Sequence, residues 1–225
     1  MWVLQRVQYA FMNFPKRFFR LFFYFRMPFY KRRAGHSLVR SFPLLLLDLI
    51  FFFDMYEIIS NKIKHNTRQL TKEEIEKGKT IFGDKLNYNL IRIDEKATIM
   101  TKDKGIIYVG FNTINSWGAL REDIFIHELV HVWQYQQFGA GYISNALKAQ
   151  TSKEGYNYAY NKGWEKSASI HDFNAEQQAD IVQDYYRLKK GFGAQWKLEK
   201  SVQLSDYQRF IDEINLNSAI PYMTT

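Results

Sequence analysis

The run REDIFIHELVHVWQYQQF, residues 121–138, can fold in few ways. Its apolar positions recur at helical spacing and FGAGY closes it, so a helix is expected over about 119–138. Inside it stands HELVH. In a helix, positions i and i+4 lie about 40° apart around the axis. His127 and His131 therefore leave one face, one turn apart, spaced to share a tetrahedral metal ion. Glu128 lies about 100° further round, within reach of a water at a fourth coordination position. A carboxylate so placed takes a proton from activated water and passes it to a leaving amine. Ile126, Leu129, Val130 and Trp133 line the other face and suit a buried helix. An amphipathic helix with two incidental histidines spells the same letters, so a metal reading needs a third ligand from elsewhere.

The chain contains no cysteine, which excludes thiolate sites and disulfides and leaves His, Asp and Glu as ligands. A histidine at position 137 would make the metzincin pattern, but 137 is Gln, and Gln134 stands where that pattern wants Gly. His171, in SASIHDFN, is one candidate. Glu176 is another, in the first turn of a second expected helix, NAEQQADIVQDYY, with Asp180 one turn later on the same face. Glu176 would complete a His₂Glu set, and Asp180 would accept the free ring N–H of a ligand histidine. Ala179 is small enough for close helix approach.

The remaining elements follow from periodicity and caps. A helix is expected over 72–82, capped by Thr71 with Glu74 and ended by Gly83. YNLIRIDE, residues 88–95, alternates like a strand. ATIM and GIIYVGF flank TKDKG and read as a hairpin with Gly105 near its turn. TSKEGYNYAYNKGWEK reads as a loop. The second helix is expected over about 175–190, with Asn174 and Gln177 as a reciprocal cap and Gly191 beyond its end. A last helix falls near 205–216.

The first sixty residues differ in kind. Residues 1–40 carry nine Lys or Arg and no acid, while the other 185 hold 22 basic and 23 acidic residues. The net charge of +8 therefore describes the N-terminus, and no nucleic-acid partner is expected from it. Twelve of nineteen phenylalanines lie before residue 60. FPLLLLDLIFFF, residues 42–53, is too short to span a bilayer and starts too late for an ordinary signal peptide. Two readings stand: an aromatic, basic extension packed on the body with its cations snorkelling outward, or a segment meeting a membrane surface or a partner. Domain bounds of 1–64 for the extension and 65–225 for the main domain follow.

HExxH followed by a helix bearing Glu and, four residues later, Asp resembles the gluzincin, thermolysin-like zinc metallopeptidases. HELVHVWQYQ, GAGYI and FNAEQQADIVQDYY, with NTRQLTKEEIEKGKTIFGD and YNLIRIDE, resemble more closely a group of small bacterial metallopeptidases. That group is described as Vgr-related or associated with type VI secretion and Rhs elements. The likeness covers about residues 65–190. It implies an α+β, zincin-like fold: a small antiparallel or mixed sheet packed on the HExxH helix and a second, Glu-bearing helix. It implies zinc held by His127, His131 and Glu176, Glu128 as general base, and Asp180 as orienting carboxylate.

Peptide hydrolysis also needs a donor for the developing oxyanion. Tyr156, Tyr158, Tyr160 and His171, between the two site helices, are the candidates. Strand 106–110 is the expected edge for an extended substrate. The leading expectation is a zinc-dependent peptidase acting on protein or peptide as a secreted bacterial effector, with secretion machinery or an immunity protein as partners. It would reside in the bacterial cytoplasm before export by a specialised system. A zincin-fold delivery module of little activity and a zinc amidase acting on cell-wall peptides are the alternatives.

Overall fold

A computed structural model describes residues 2–23, 38–64, 66–153, 155–160, 164–167, 169–196 and 201–216. The chain is α+β. Its strands are β1 (Thr67–Gln69), β2 (Arg92–Asp94), β3 (Tyr108–Gly110) and β4 (Thr113–Asn115), in the order β1-β2-β4-β3. β2 and β4 run parallel, with Ile93 opposite Ile114; β1–β2 and β3–β4 are antiparallel. β3 is an edge.

The hairpin forms later in the chain than the pattern suggests. TKDK is a single helical turn, α6 (Thr101–Lys104), entered at Met100 and left at Gly105, both left-handed. The hydroxyl of Thr101 bonds Ala97 O, which closes this turn and keeps ATIM out of the sheet. The hairpin instead pairs YVG with TIN around Phe111–Asn112, with Phe111 at φ 63°. Glu57, from far upstream, holds that turn through Asn112 N at 2.8 Å and Asn112 Nδ2 at 3.0 Å. YNLIRIDE likewise divides into a 3₁₀ turn at Tyr88–Leu90 and the short β2.

Helix α7 (Glu122–Phe138) runs through the core, buried from Phe125 to Gln136. Helix α9 (Ala175–Lys189) packs along it, with Ala179 fully buried between them, and α10 (Leu204–Leu216) packs on α9. Helix α5 (Lys72–Phe82) begins at the Thr71–Glu74 capping box. It crosses close at Gly78, where a Cβ would stand 2.8 Å from the Tyr88 ring and 3.1 Å from Leu129. Helix α8 (Tyr142–Gln150), absent from the sequence reading, lies between α7 and α9 and touches both.

Among the described residues four short helices precede this body: α1 (Trp2–Met12), α2 (Phe14–Phe23), α3 (Leu38–Leu49) and α4 (Phe52–Ile63). They pack on it by polar hooks and shared core. Arg20 Nη2 donates to Gln136 O at 2.9 Å and Gln137 O at 2.8 Å, closing the C-terminal end of α7 with a cation where the helix dipole favours one. Ser41 and Ser144 hydroxyls bond at 2.6 Å, and Leu45 and Phe53 enter the main core. Arg6 pairs with Glu57, and Arg17 reaches Asp54 at 2.6 Å and Asp48 at 3.6 Å, all buried. Among the described residues no helix is long and apolar enough to cross a membrane.

Candidate metal centre

The site forms where α7 and α9 face each other. His127 and His131 project from one side of α7, and Glu176 enters from the first turn of α9. Glu176 Oε2 lies 3.5 Å from His127 Nε2 and 3.2 Å from His131 Nε2. All three are buried, with candidate ligand atoms within 4.8 Å of one another. Position 176 is set by its cap: Asn174 accepts from Gln177 N at 2.9 Å, and Gln177 answers at Asn174 N at 3.2 Å. That fixes where α9 starts and hence which residue meets the histidines.

Each donor is held from behind. His127 Nδ1 lies 2.9 Å from Asp180 Oδ1 and 3.0 Å from Gln183 Oε1. Trp196 Nε1 donates to the other Asp180 oxygen at 2.6 Å. His131 Nδ1 lies 2.9 Å from Gln134 Oε1, and the Gln134 amide donates to Ala175 O and Gln178. Gln150, on α8, donates to Glu176 Oε1 at 2.9 Å. Each imidazole has its Nδ1 beside one of these oxygens and its Nε2 facing the Glu176 carboxylate. Two ring nitrogens and a carboxylate converging in a buried site are a donor set that fits a cation.

The titration behaviour follows the same charge balance. Burial lowers the His127 pKa, but the bonds to Asp180 and Glu176 and the nearby Glu128 charge raise it well above its ordinary value. Burial lowers His131 too, and Glu176 more than restores it. Burial raises Glu176, while the two histidines hold it far below the usual carboxylate range. Glu128 goes the other way. Burial pushes its carboxyl up against the opposing pull of His127 and His131, and its Oε2 has no hydrogen-bond partner among the described residues.

A cavity of about 580 Å³ opens onto this cluster. The edge strand β3 forms one wall, Ile143 and Leu147 of α8 another, and Glu128 and Tyr156 lie between. The Tyr156 ring stacks on His127 at 6.1 Å between centroids and is partly exposed.

The structure thus brings together His127, Glu128, His131, Glu176 and Asp180. It does not bring Tyr158 or His171 to the cavity. The Tyr158 hydroxyl is buried, donating to Asp184 at 2.6 Å and lying 2.8 Å from the Tyr207 hydroxyl. His171 stacks on Trp133 at 6.4 Å with Nε2 4.0 Å from Glu213. Both are packing residues, and of the tyrosine candidates Tyr156 alone among the described side chains lines the cavity; the Tyr160 side chain lies outside them. Sequence reasoning missed Gln134, Gln150, Gln183 and Trp196. Gln134 and Gln183 stand three positions after His131 and Asp180, a helical-face signal that was available.

No protein family model matches the chain. The cluster and its cavity define a candidate His₂Glu metal centre between two helices of an α+β domain. In sequence the chain is 33% identical over 139 residues to the type VI secretion system spike protein VgrG2b of Pseudomonas aeruginosa. That match covers 56% of this chain and 13% of VgrG2b, so the chain spans a small part of its relative. The solved effector domain of P. aeruginosa VgrG2b superposes with a TM-score of 0.44 at 24% identity, over 66% of this chain and 83% of that one.

Proposed function

We propose that this chain is a zinc-dependent metallopeptidase of gluzincin type with a zincin-like fold, serving as an effector exported through a type VI secretion system. The observation that carries the enzymatic reading is the convergence of His127, His131 and Glu176 beside a buried Glu128 with one unpartnered oxygen. His127, His131 and Glu176 would hold the ion. Bound zinc lowers the pKa of water and polarises a carbonyl oxygen.

The rest is done by the chain's own groups. Glu128, its carboxyl pKa raised by burial, accepts a proton from the attacking water as the water oxygen bonds to the scissile carbonyl carbon. As the C–N bond breaks, Glu128 returns that proton to the leaving amine. Asp180 and Gln134 fix the ring planes of the two histidines. The Tyr156 hydroxyl donates to the developing oxyanion. The free edge of β3 pairs with an extended peptide, which makes protein or peptide the substrate class. Cell-wall peptides fit the same edge and are the second substrate class.

The export reading rests on the likeness to part of a spike protein, with secretion machinery and an immunity protein as the partners it entails. The enzymatic reading is tested by purified full-length protein. Metal analysis should find about one zinc per chain, lost in His131→Ala. Glu128→Gln should retain the zinc and stop peptide hydrolysis. Protein without zinc at this cluster, or full turnover by Glu128→Gln, sinks the proposal.

A further inference from the structure

Helices α1–α4 bury charged side chains beside a few apolar ones and turn rows of apolar residues outward. On α1 the outward positions Leu4, Val7, Phe11 and Met12 are exposed, Phe11 at 66% and Met12 at 79%, while Arg6 points inward at 1%. On α2, Phe14, Phe18 and Phe22 face out, and Arg17 and Arg20 are buried. On α3, Phe42 and Leu46 face out, while Ser41 and Asp48 are buried. On α4, Phe52, Met55, Ile59 and Ile63 face out, and Asp54 and Glu57 are buried. The outer rows meet: the Phe51 ring, at the α3–α4 corner, lies 5.3 Å from Phe11 and 5.9 Å from Phe14, and Phe18 lies 4.2 Å from Phe22.

A helical layer bathed in water turns its apolar stripe inward. This layer turns arginine–carboxylate pairs inward and leaves an apolar surface continuous across helices, larger than scattered exposed residues explain. Charge narrows the choice of what covers it. Residues 1–64 hold eleven Lys or Arg and three acids, which accounts for the entire net charge of +8. The three acids, Asp48, Asp54 and Glu57, are all buried, whereas Lys16 and Lys62 are exposed beside the apolar rows. An apolar face fringed by cations and devoid of exposed acid matches the interface of an anionic bilayer. Helices of ten to twelve residues reach about half the thickness of the hydrocarbon core. They suit lying in the interface plane.

We propose that helices α1–α4 form an in-plane docking surface for an anionic lipid bilayer, seated on the apolar rows through Phe11, Phe18, Leu46 and Ile59. The surface reaches the cavity through the exposed Tyr56 of α4, whose ring lies 5.7 Å from that of Phe111, a cavity-lining residue, so docking holds the cavity close to the membrane. This inference does not depend on the peptidase reading.

The absence of cysteine makes the test clean. Full-length Phe18→Cys, Ile59→Cys and, as a control at the exposed polar start of α5, Lys72→Cys carry an environment-sensitive dye. Vesicles are made from equal parts of phosphatidylcholine and phosphatidylglycerol. The protein should float with them, and the dyes at positions 18 and 59, but not 72, should shift to the blue and be quenched by bromolipid. Binding should fall about tenfold or more with pure phosphatidylcholine or in Phe18→Ser/Phe22→Ser/Ile59→Ser. An unchanged thermal melt of that triple variant shows that folding is intact. Protein that stays with the buffer overturns the proposal. So does a dye at position 18 already shielded without lipid; doubled mass by light scattering then assigns the face to a second copy, and single mass assigns it to the chain's own cover.

Discussion

His127 Nδ1 lies 2.9 Å from Asp180 Oδ1, and the opposite oxygen of the same carboxylate receives the Trp196 indole at 2.6 Å. A residue one turn along α9 from Glu176 thus aims a donor on α7, and a loop tryptophan aims that residue in turn. Replacing Asp180 by Asn keeps the volume but removes the anion that holds Nδ1–H. Zinc affinity of Asp180→Asn should fall about 10–100-fold, read by competition with a chromogenic chelator. Unchanged affinity would remove Asp180 from the positioning role.

The two tyrosines between the helices should behave oppositely. Tyr156 borders the cavity, so Tyr156→Phe should lower kcat by about ten- to a hundredfold with little change in KM or melting temperature. Tyr158 serves Asp184 and Tyr207, so Tyr158→Phe should lower the melting temperature and leave kcat of the folded fraction near the parent value. Peptide kinetics and calorimetry on the same preparations separate them.

Arg20 meets the buried Asp48 at 3.6 Å and the last carbonyls of α7. Arg20→Ala leaves the α7 carbonyls uncapped in a buried place and Asp48 with Arg17 as its remaining cation. It should destabilise the fold by about 3–5 kcal/mol, the usual cost of breaking one side of a buried pair, measured by urea unfolding. A loss below about 1 kcal/mol would mean that Arg20 is solvated like a surface ion pair.

Asp123 ties the start of α7 to α9 through Arg187 at 2.8 Å. Burial pushes its carboxyl up, yet hydrogen bonds from Arg187, Arg121 and Gln183 hold it below its ordinary value of 3.8. A carboxyl depressed in the folded state adds stability above its unfolded pKa. That increment is lost as pH falls through the folded one. The melting temperature should therefore drop on acidification below about pH 4, and Asp123→Asn should be less stable at neutral pH with a shallower acid slope. Parallel slopes for the two proteins would count against this.

The convergence of the candidate ligands was legible because chemistry and helical period coincide. His127, His131, Glu176 and Asp180 are spaced by four within each helix, and the Thr71–Glu74 and Asn174–Gln177 capping boxes marked two helix starts correctly. The hairpin was not legible. Its turn is pinned by Glu57, 55 positions upstream of Asn112, and no local pattern carries that contact. Helix α8 escaped notice because the side that lines the cavity mixes Ile143 and Leu147 with Gln150, which serves Glu176, so no apolar stripe marks it. Tyr158 and His171 were plausible by position alone; burial against Asp184 and Trp133 decided otherwise. In the N-terminal segment the packing reading turned the cations outward, whereas Arg6, Arg17 and Arg20 are buried against carboxylates and carbonyls that no local pattern reveals.

The carbonyls that Arg20 caps lie 116 and 117 residues further along the chain. At about 5–20 residues per second on the ribosome, the first helices wait several seconds before residues 136 and 137 exist to receive them. During that interval Arg20 has no carbonyl to meet and the phenylalanine rows have no body behind them. Synthesis of this stretch is therefore a prolonged holding problem, in which the adhesive helices emerge well before the residues that anchor them.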